Sequence, residues 1–155
     1  MIRPININDR DIFIKFADMF YHTDAVSHTI PIEHHENSFD FMLQDNDYMF
    51  AYMLQLDDDT PVGYALLSKS YSNEAGGFVL WLEEFFILPE YRGRGLGTQF
   101  LDFLKVLSKD YARVRLELEP DNVKAKKLYS TIGFTPLEYS QMIIDINTEY
   151  ILAMW

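Results

Sequence analysis

Cysteine is absent from all 155 residues, which removes disulfides, thiolate metal sites and a cysteine nucleophile together. Any acyl chemistry has to run on another group. Positive charge is scarce: 13 Lys and Arg stand against 24 Asp and Glu, a formal net charge of −11 with a pI near 4.6. Phosphate backbones are held by clustered Lys and Arg, so no nucleic-acid partner is expected, whereas a negative field draws in cations such as amines. No apolar run approaches the ~18 residues a membrane span requires, and the opening Met1-Ile2-Arg3-Pro4 carries no apolar signal core. Cytoplasm is the expected location, without a membrane partner. His22, His28, His34 and His35 lack a ligand-like partner set, and the adjacent His34 and His35 cannot face one way on a helix, so no metal is expected.

The chain does have material for a core: 48% apolar residues, 15% of the chain aromatic. A single domain commonly takes roughly 100–200 residues, and residues 1–155 are read as one. Ile2 to Ile5 forms a first strand, and Asn8 or Asp9 caps a helix carrying Ile12, Phe16, Met19 and Phe20 on one face. Pro31 opens a second helix with Ile32, Phe39, Met42 and Leu43 on its stripe. Tyr48 to Leu56 and Val62 to Tyr71 are strand-like, joined by a turn through Asp57-Asp58-Asp59-Thr60-Pro61. After a turn over 73–77, Phe78 to Leu88 is a long apolar strand interrupted by Glu83 and Glu84. Gly95 to Asp110 is helical and Val114 to Leu118 a strand. A helix capped by Asn122 then carries Ala125, Leu128, Tyr129 and Ile132 and closes at Gly133. Leu137 to Tyr139 and Met142 to Ile146 read as a last strand pair, with a short helix expected over Thr148 to Met154.

The segment Phe85 to Thr98 runs from strand through a glycine-rich turn into an amphipathic helix. Gly93, Gly95 and Gly97 let backbone N–H groups converge on an anion, and the helix N-terminus adds partial positive charge. Arg92 and Arg94 supply charge-assisted contacts. A P-loop needs Gly-Lys-Ser/Thr, which is missing, and the setting of an early βαβ unit for a dinucleotide fingerprint is also missing.

Arg92, Gly95 and Gly97 in the order Arg-x-x-Gly-x-Gly, after Pro-x-Tyr, resemble the coenzyme A pyrophosphate loop of the GNAT N-acetyltransferases. Asn122-x-x-Ala125-x-x-x-Tyr129-x-x-x-Gly133-Phe134 looks like a second signature of that family, in the right order, and the succession of elements is similar along nearly the whole chain. The resemblance implies an α/β fold with a mixed, mostly antiparallel sheet whose fourth and fifth strands splay apart, flanked by helices. It implies acetyl-CoA as co-substrate, held by Arg92, Gly93, Arg94, Gly95, Leu96, Gly97, Thr98 and Asn122. Pantetheine would enter the splay against the main chain of Phe85, Phe86 and Ile87, one of whose N–H groups would polarise the thioester carbonyl. It also implies Tyr129 as general acid toward the leaving thiolate, and Tyr21, His22, Asp24 and His28 on the acceptor side. Homodimers are common in the family, and the aromatic tail ending in Trp155 offers such a surface.

Stripping a proton from an amine of pKa ~10.4 at neutral pH costs roughly 4–5 kcal/mol, so a base is needed. Glu83, Glu84 and Glu117 are carboxylates set in apolar strands, where desolvation raises their pKa. Strand alternation puts Glu83 on the face of Phe85 and Ile87, which makes it the expected base, acting through water; Glu117 is the rival. Leu82 to Ile87 with Tyr91-Arg92-Gly93, and the ending Ile144 to Leu152, are similar to diamine N-acetyltransferases, which implies a polyamine-like acceptor and leaves Glu84 to bind it. A protein or peptide acetyltransferase and a non-catalytic acetyl-CoA-binding module remain open beside the small-amine enzyme.

Overall fold

The computed structural model describes residues 1–146. Five strands lie in the order β1-β2-β3-β4-β5: β1 is Ile2–Pro4, β2 Met49–Gln55, β3 Pro61–Ser72, β4 Gly77–Ile87 and β5 Arg113–Leu116. β1 to β4 pair antiparallel and β4 pairs β5 in parallel. Helices α1 (Arg10–Phe20) and α2 (Ile32–Met42) cover one face; α3 (Leu96–Leu107) packs on the other, with α4 (Val123–Ser130) beside it. This is the mixed, mostly antiparallel α/β architecture that the element order implies.

Each face has its own core. Phe13, Phe16, Ala17, Phe20, Phe39 and Met42 of the first helix pair meet Ala51, Met53, Tyr64, Leu66 and Phe86. Phe100, Leu101 and Leu104 of α3 meet Leu54, Val62, Ala65, Leu67, Leu80 and Leu82. Fully burying one such side chain contributes about 1.5–3 kcal/mol, and the period-2 split of β3 between the faces follows from strand geometry.

Four local expectations are corrected. Asp9 stands at the N-cap of α1 but makes no capping bond to that helix; its buried carboxylate accepts from Arg3 Nη1 and Nη2 at 2.7 Å and from Asn6 N–H at 2.8 Å, closing with Asn6 a capping box on a 3-10 turn over Ile7–Asp9. On α2, Ile32 and Leu43 stay largely exposed, and His35 joins Phe39 and Met42 on the inner stripe at i, i+4, i+7. The strand pair read over 137–139 and 142–146 is absent: these residues form no ladder, and Met142, Ile143 and Ile144 are more than four-fifths exposed. Alternating apolar residues become a strand only where a partner edge takes their backbone groups. The helix expected over 148–154 lies outside the described residues.

The fourth correction positions the site. Leu66 faces Glu84 across β3–β4 while Leu67 faces Leu82, so Glu83 is an extra residue, a β-bulge. β5 pairs β4 only from Val79↔Arg113 to Leu82↔Leu116. The ladder ends at the bulge, and β4 runs on to Ile87 without a β5 partner, leaving a gap beside it.

Candidate active site

Ile87 leads into a 3-10 turn over Pro89–Tyr91 and then to Gly93 and Gly95, whose φ of 74° and 82° lie in the left-handed region that a side chain disfavours. The first helical bond of α3 runs from Gln99 N–H to Gly95 O at 3.0 Å. The N–H groups of Leu96, Gly97 and Thr98 therefore have no acceptor within the helix, and their dipoles add at its N-terminus. No acidic residue sits in that first turn to neutralise them. Arg92 Nε donates to Ile87 O at 2.8 Å and Arg94 Nη2 to Glu90 O at 2.9 Å, so both guanidinium groups fold back along the loop. A Cβ on Gly97 would lie 3.2 Å from Leu128 Cδ2, which shows how closely α4 braces the start of α3. The loop can take an anion of phosphate type.

Beside the loop, β4 presents main chain to the unpaired side. Leu88 N–H donates to Val62 O at 2.9 Å, and alternation along an antiparallel pair then turns Phe86 N–H toward β3 and the N–H groups of Phe85 and Ile87 toward the gap. The Ile87 carbonyl agrees, since it takes Arg92 from that side. Phe85 stacks on Phe100 at 4.4 Å on the α3 face, while Phe86 packs with Phe16 at 5.9 Å on the opposite face. Of the three residues expected to offer main chain, Phe85 and Ile87 are brought to the gap and Phe86 is not.

The bulge also redistributes the carboxylates. Glu83 does not share the face of Phe85 and Ile87; with Glu84 it lines a cleft of about 430 Å³ on the α1/α2 side, walled by Phe13, Tyr21, His35 and Met49. Glu83 is exposed, and its carboxylate accepts from the Ser68 hydroxyl. Glu84 is only 9% exposed and accepts from the fully buried Tyr64 Oη at 2.5 Å. Burial pushes the Glu84 carboxyl above its ordinary value, against the lowering effect of its hydroxyl partner. The Tyr21 phenol is pushed up by burial first and by the Glu84 carboxylate next. His35, 3% exposed, stands 5.4 Å ring to ring from Tyr21; burial lowers its pKa, and its Nε2 has no hydrogen-bond partner. Apolar walls with acidic and neutral acceptors suit an alkyl ammonium.

Asp24 and His28 lie exposed on the loop after α1, outside the lining of this cleft, and His22 Nδ1 is engaged with Asp18 O at 2.7 Å. Among the described residues no cluster of His, Asp and Glu could hold a metal ion. Glu117 is remote from Glu83 and Glu84 in kind: it lies exposed in a separate groove of about 1260 Å³, where its carboxylate takes the Gln141 side-chain amide. Tyr129 lines the same groove, edge-on to Phe134 at 5.7 Å, and burial pushes its phenol up to about 12. Asn122 Oδ1 accepts from Ala125 N–H at 3.1 Å and so caps α4 as its position foretells.

Sequence reasoning missed His35, Tyr64 and Ser68. The helical stripe His35–Phe39–Met42 carried a usable signal for the first; Tyr64 and Ser68 could be found only through the register across the bulge.

Residues 15–134 match the model of the acetyltransferase (GNAT) family. Thialysine N-epsilon-acetyltransferase of Mus musculus is 35% identical over 90 residues, 57% of this chain and 52% of that protein. Spermine/spermidine N(1)-acetyltransferase of Bacillus subtilis (strain 168) is 35% identical over 78 residues, 47% of this chain and 51% of that protein. The chain thus spans about half the length of the curated relatives it matches. The crystal structure of a possible acetyltransferase from Clostridium difficile 630 superposes with a TM-score of 0.79 at 19% identity, covering 94% of this chain and 97% of that one, a likeness of fold. No helix among the described residues is long and apolar enough to cross a membrane.

Proposed function

The chain belongs to the acetyltransferase (GNAT) family, and from that premise we propose that it moves an acetyl group from acetyl-CoA to the primary amine of a small cationic acceptor, by direct attack with both substrates bound. One observation carries this reading: the β4–β5 ladder stops at Leu82↔Leu116, so that the Phe85 and Ile87 N–H groups on the strand leading into the glycine loop have no β5 partner, as the N–H groups of Leu96 to Thr98 that follow the loop have no acceptor within α3. The loop would hold the pyrophosphate, with Arg92 and Arg94 swinging out to it and Asn122 at the near end of α4. Main-chain donors in the gap would bind the pantetheine amides and stabilise negative charge on the thioester oxygen.

The acceptor enters from the α1/α2 side. Glu83, at the bulge where the gap begins, takes the ammonium proton through water. The freed nitrogen attacks the thioester carbon, the C–S bond breaks as the N–C bond is completed, the nitrogen gives its second proton to water, and Tyr129 supplies a proton to the departing sulfur and regains one from solvent. Burial pushes that phenol up to about 12, so it stays protonated until the leaving group forms; handing its proton to a thiolate, whose thiol titrates at ~8.5, is uphill and is completed as solvent reprotonates the phenolate. The surplus of 24 acidic over 13 basic residues favours a cationic acceptor, as do the basic amines named for the mouse and Bacillus relatives. The exposed Met142, Ile143 and Ile144 favour association with a second copy of the chain.

The test is thiol release from acetyl-CoA over a panel of spermidine, 1,4-diaminobutane, an aminoglycoside and a lysine-containing peptide. Release with the small amines is expected. Turnover of the peptide alone would move the assignment to a protein acetyltransferase, and coenzyme A binding without release from any amine would leave only a binding module.

A further inference from the structure

One polar side chain in the acceptor cleft has no role in the steps above. His35 is 97% buried, given its 3% exposure, yet its Nε2 has no hydrogen-bond partner. A buried ring nitrogen without a partner forfeits the bonds it makes to water. Such an atom is retained at little benefit to the fold alone, since an apolar ring would fill the same helical position, one turn before Phe39 and against Tyr21, without that loss. The ring nonetheless lines the same cleft as Glu83 and Glu84, against Tyr21.

The two carboxylates occupy different depths. Glu83 is exposed at the point where the β4–β5 ladder ends, and Glu84 is sunk behind it against Tyr64. A reacting amine has to lie near the gap and therefore near Glu83. The deeper end, with Glu84, Tyr21 and His35, is left for a part of the acceptor that does not react. It offers a carboxyl able to ionise when a cation arrives and an imidazole that burial keeps neutral and so able to accept. Phe13, Met49 and Leu66 line the space with apolar surface suited to methylene groups.

We propose that His35 is a specificity-determining residue, which together with Glu84 receives the second ammonium of a short α,ω-diamine while the first reacts beside Glu83. This rests on the assignment of the cleft as the acceptor site. The experiment compares kcat/KM for 1,4-diaminobutane with that for butylamine, which has the same chain and no far ammonium, in the wild type, His35→Phe and His35→Gln. The diamine-to-monoamine ratio is expected to exceed one in the wild type. It should fall roughly 10–100-fold in His35→Phe, the size of a buried hydrogen bond to a charged group, and less in His35→Gln, which keeps a polar end. A ratio unchanged in His35→Phe overturns the proposal, as does a wild type that prefers neither amine.

Should His35→Phe fail to fold, a titration of the wild-type protein followed by NMR answers in its place. The ¹⁵Nε2 resonance of His35, assigned by its loss in His35→Gln, is expected to move on adding 1,4-diaminobutane and to stay in place with butylamine; equal response to both amines overturns the assignment. If neither amine releases thiol, acetyl transfer to small amines fails, while a selective shift of that resonance still supports the diamine subsite.

Discussion

Replacing Glu84 by Gln tests whether burial raises the pKa of the carboxyl at the back of the cleft. Gln has nearly the same shape and keeps an oxygen for the Tyr64 hydroxyl, which donates to Glu84 Oε2 at 2.5 Å. The wild-type carboxyl is 9% exposed, and burial is the largest influence on it, raising its pKa. A raised carboxyl means that the folded chain binds its proton more tightly than the unfolded one, where Glu titrates near ~4.3. Below that pH both states are protonated and this group contributes its full stability. As pH climbs, the unfolded chain ionises first and stability falls, at a rate set by the difference in bound protons, until the folded pKa is passed. Each pKa unit of displacement is worth about 1.4 kcal/mol. Glu84→Gln, having no proton to lose, should therefore gain on the wild type progressively above pH 4.5 and hold a constant advantage beyond the folded pKa. Urea unfolding of both proteins at pH 4, 5.5, 7 and 8 reads the difference directly. Asp9 acts in the opposite sense, since Arg3 lowers its pKa and its contribution is lost as pH falls, but it is common to both proteins and cancels. A stability difference that stays level across the series would refute the claim that burial raises the pKa of this carboxyl. The same variant should raise KM for a diamine, because an amide cannot become the counter-charge of an ammonium.

Tyr129→Phe should lower kcat by at least ~100-fold, the lower end for loss of a general acid, with little change in KM for acetyl-CoA; turnover at the wild-type rate would remove Tyr129 from the proton path. Gly63→Ala brings a Cβ to 2.2 Å from the Phe86 carbonyl oxygen across β3–β4, so β3 and β4 have to separate there, at about 1–3 kcal/mol. A thermal melt should fall by roughly 2–4 °C per kcal/mol for a domain of this size, and an unmoved midpoint would contradict that close approach. Gly95→Ala, at φ 82°, strains the loop by about 1–2 kcal/mol. Calorimetry should show weaker coenzyme A binding; equal affinity would mean that the loop does not hold it.

Element order was legible because each element has its own period: Ile12, Phe16 and Phe20 repeat as a helix, and the residues of β3 alternate as a strand. The anion loop was legible for a different reason, that glycine and arginine at fixed spacing name a backbone shape as much as a side-chain chemistry. Neither kind of signal reports register. The extra residue in β4 exists only relative to Leu66 and Leu67 of its partner strand, so alternation counted along β4 alone set Glu83 beside Phe85 and was wrong by one face. His35 was hidden by its type: a histidine next to another histidine reads as a surface or metal residue, and its burial follows from the phase shared with Phe39 and Met42, which a stripe drawn through Ile32 and Leu43 obscured. The alternation over 142–146 failed in the reverse direction, since a strand needs a neighbour and none stands beside those residues.

The bulge at Glu83 links these errors to the function. A sheet separates what lies on its two faces, and in the proposed reaction the acyl donor would lie on the side of α3 and the acceptor on the side of α1 and α2. In a regular ladder Leu82 and Glu84 would share a face and the pairing of β4 with β5 would have no reason to stop between them. The inserted residue puts Leu82 into the α3 core and Glu84 into the cleft, turns both carboxylates toward the same opening, and ends the β4–β5 ladder at Leu82↔Leu116. One additional residue thus coincides with the end of the β4–β5 ladder, beyond which the Phe85 and Ile87 N–H groups have no β5 partner, and sets an acid pair in the cleft on the α1/α2 side. The geometry of the site follows from that local count more directly than from any single side chain.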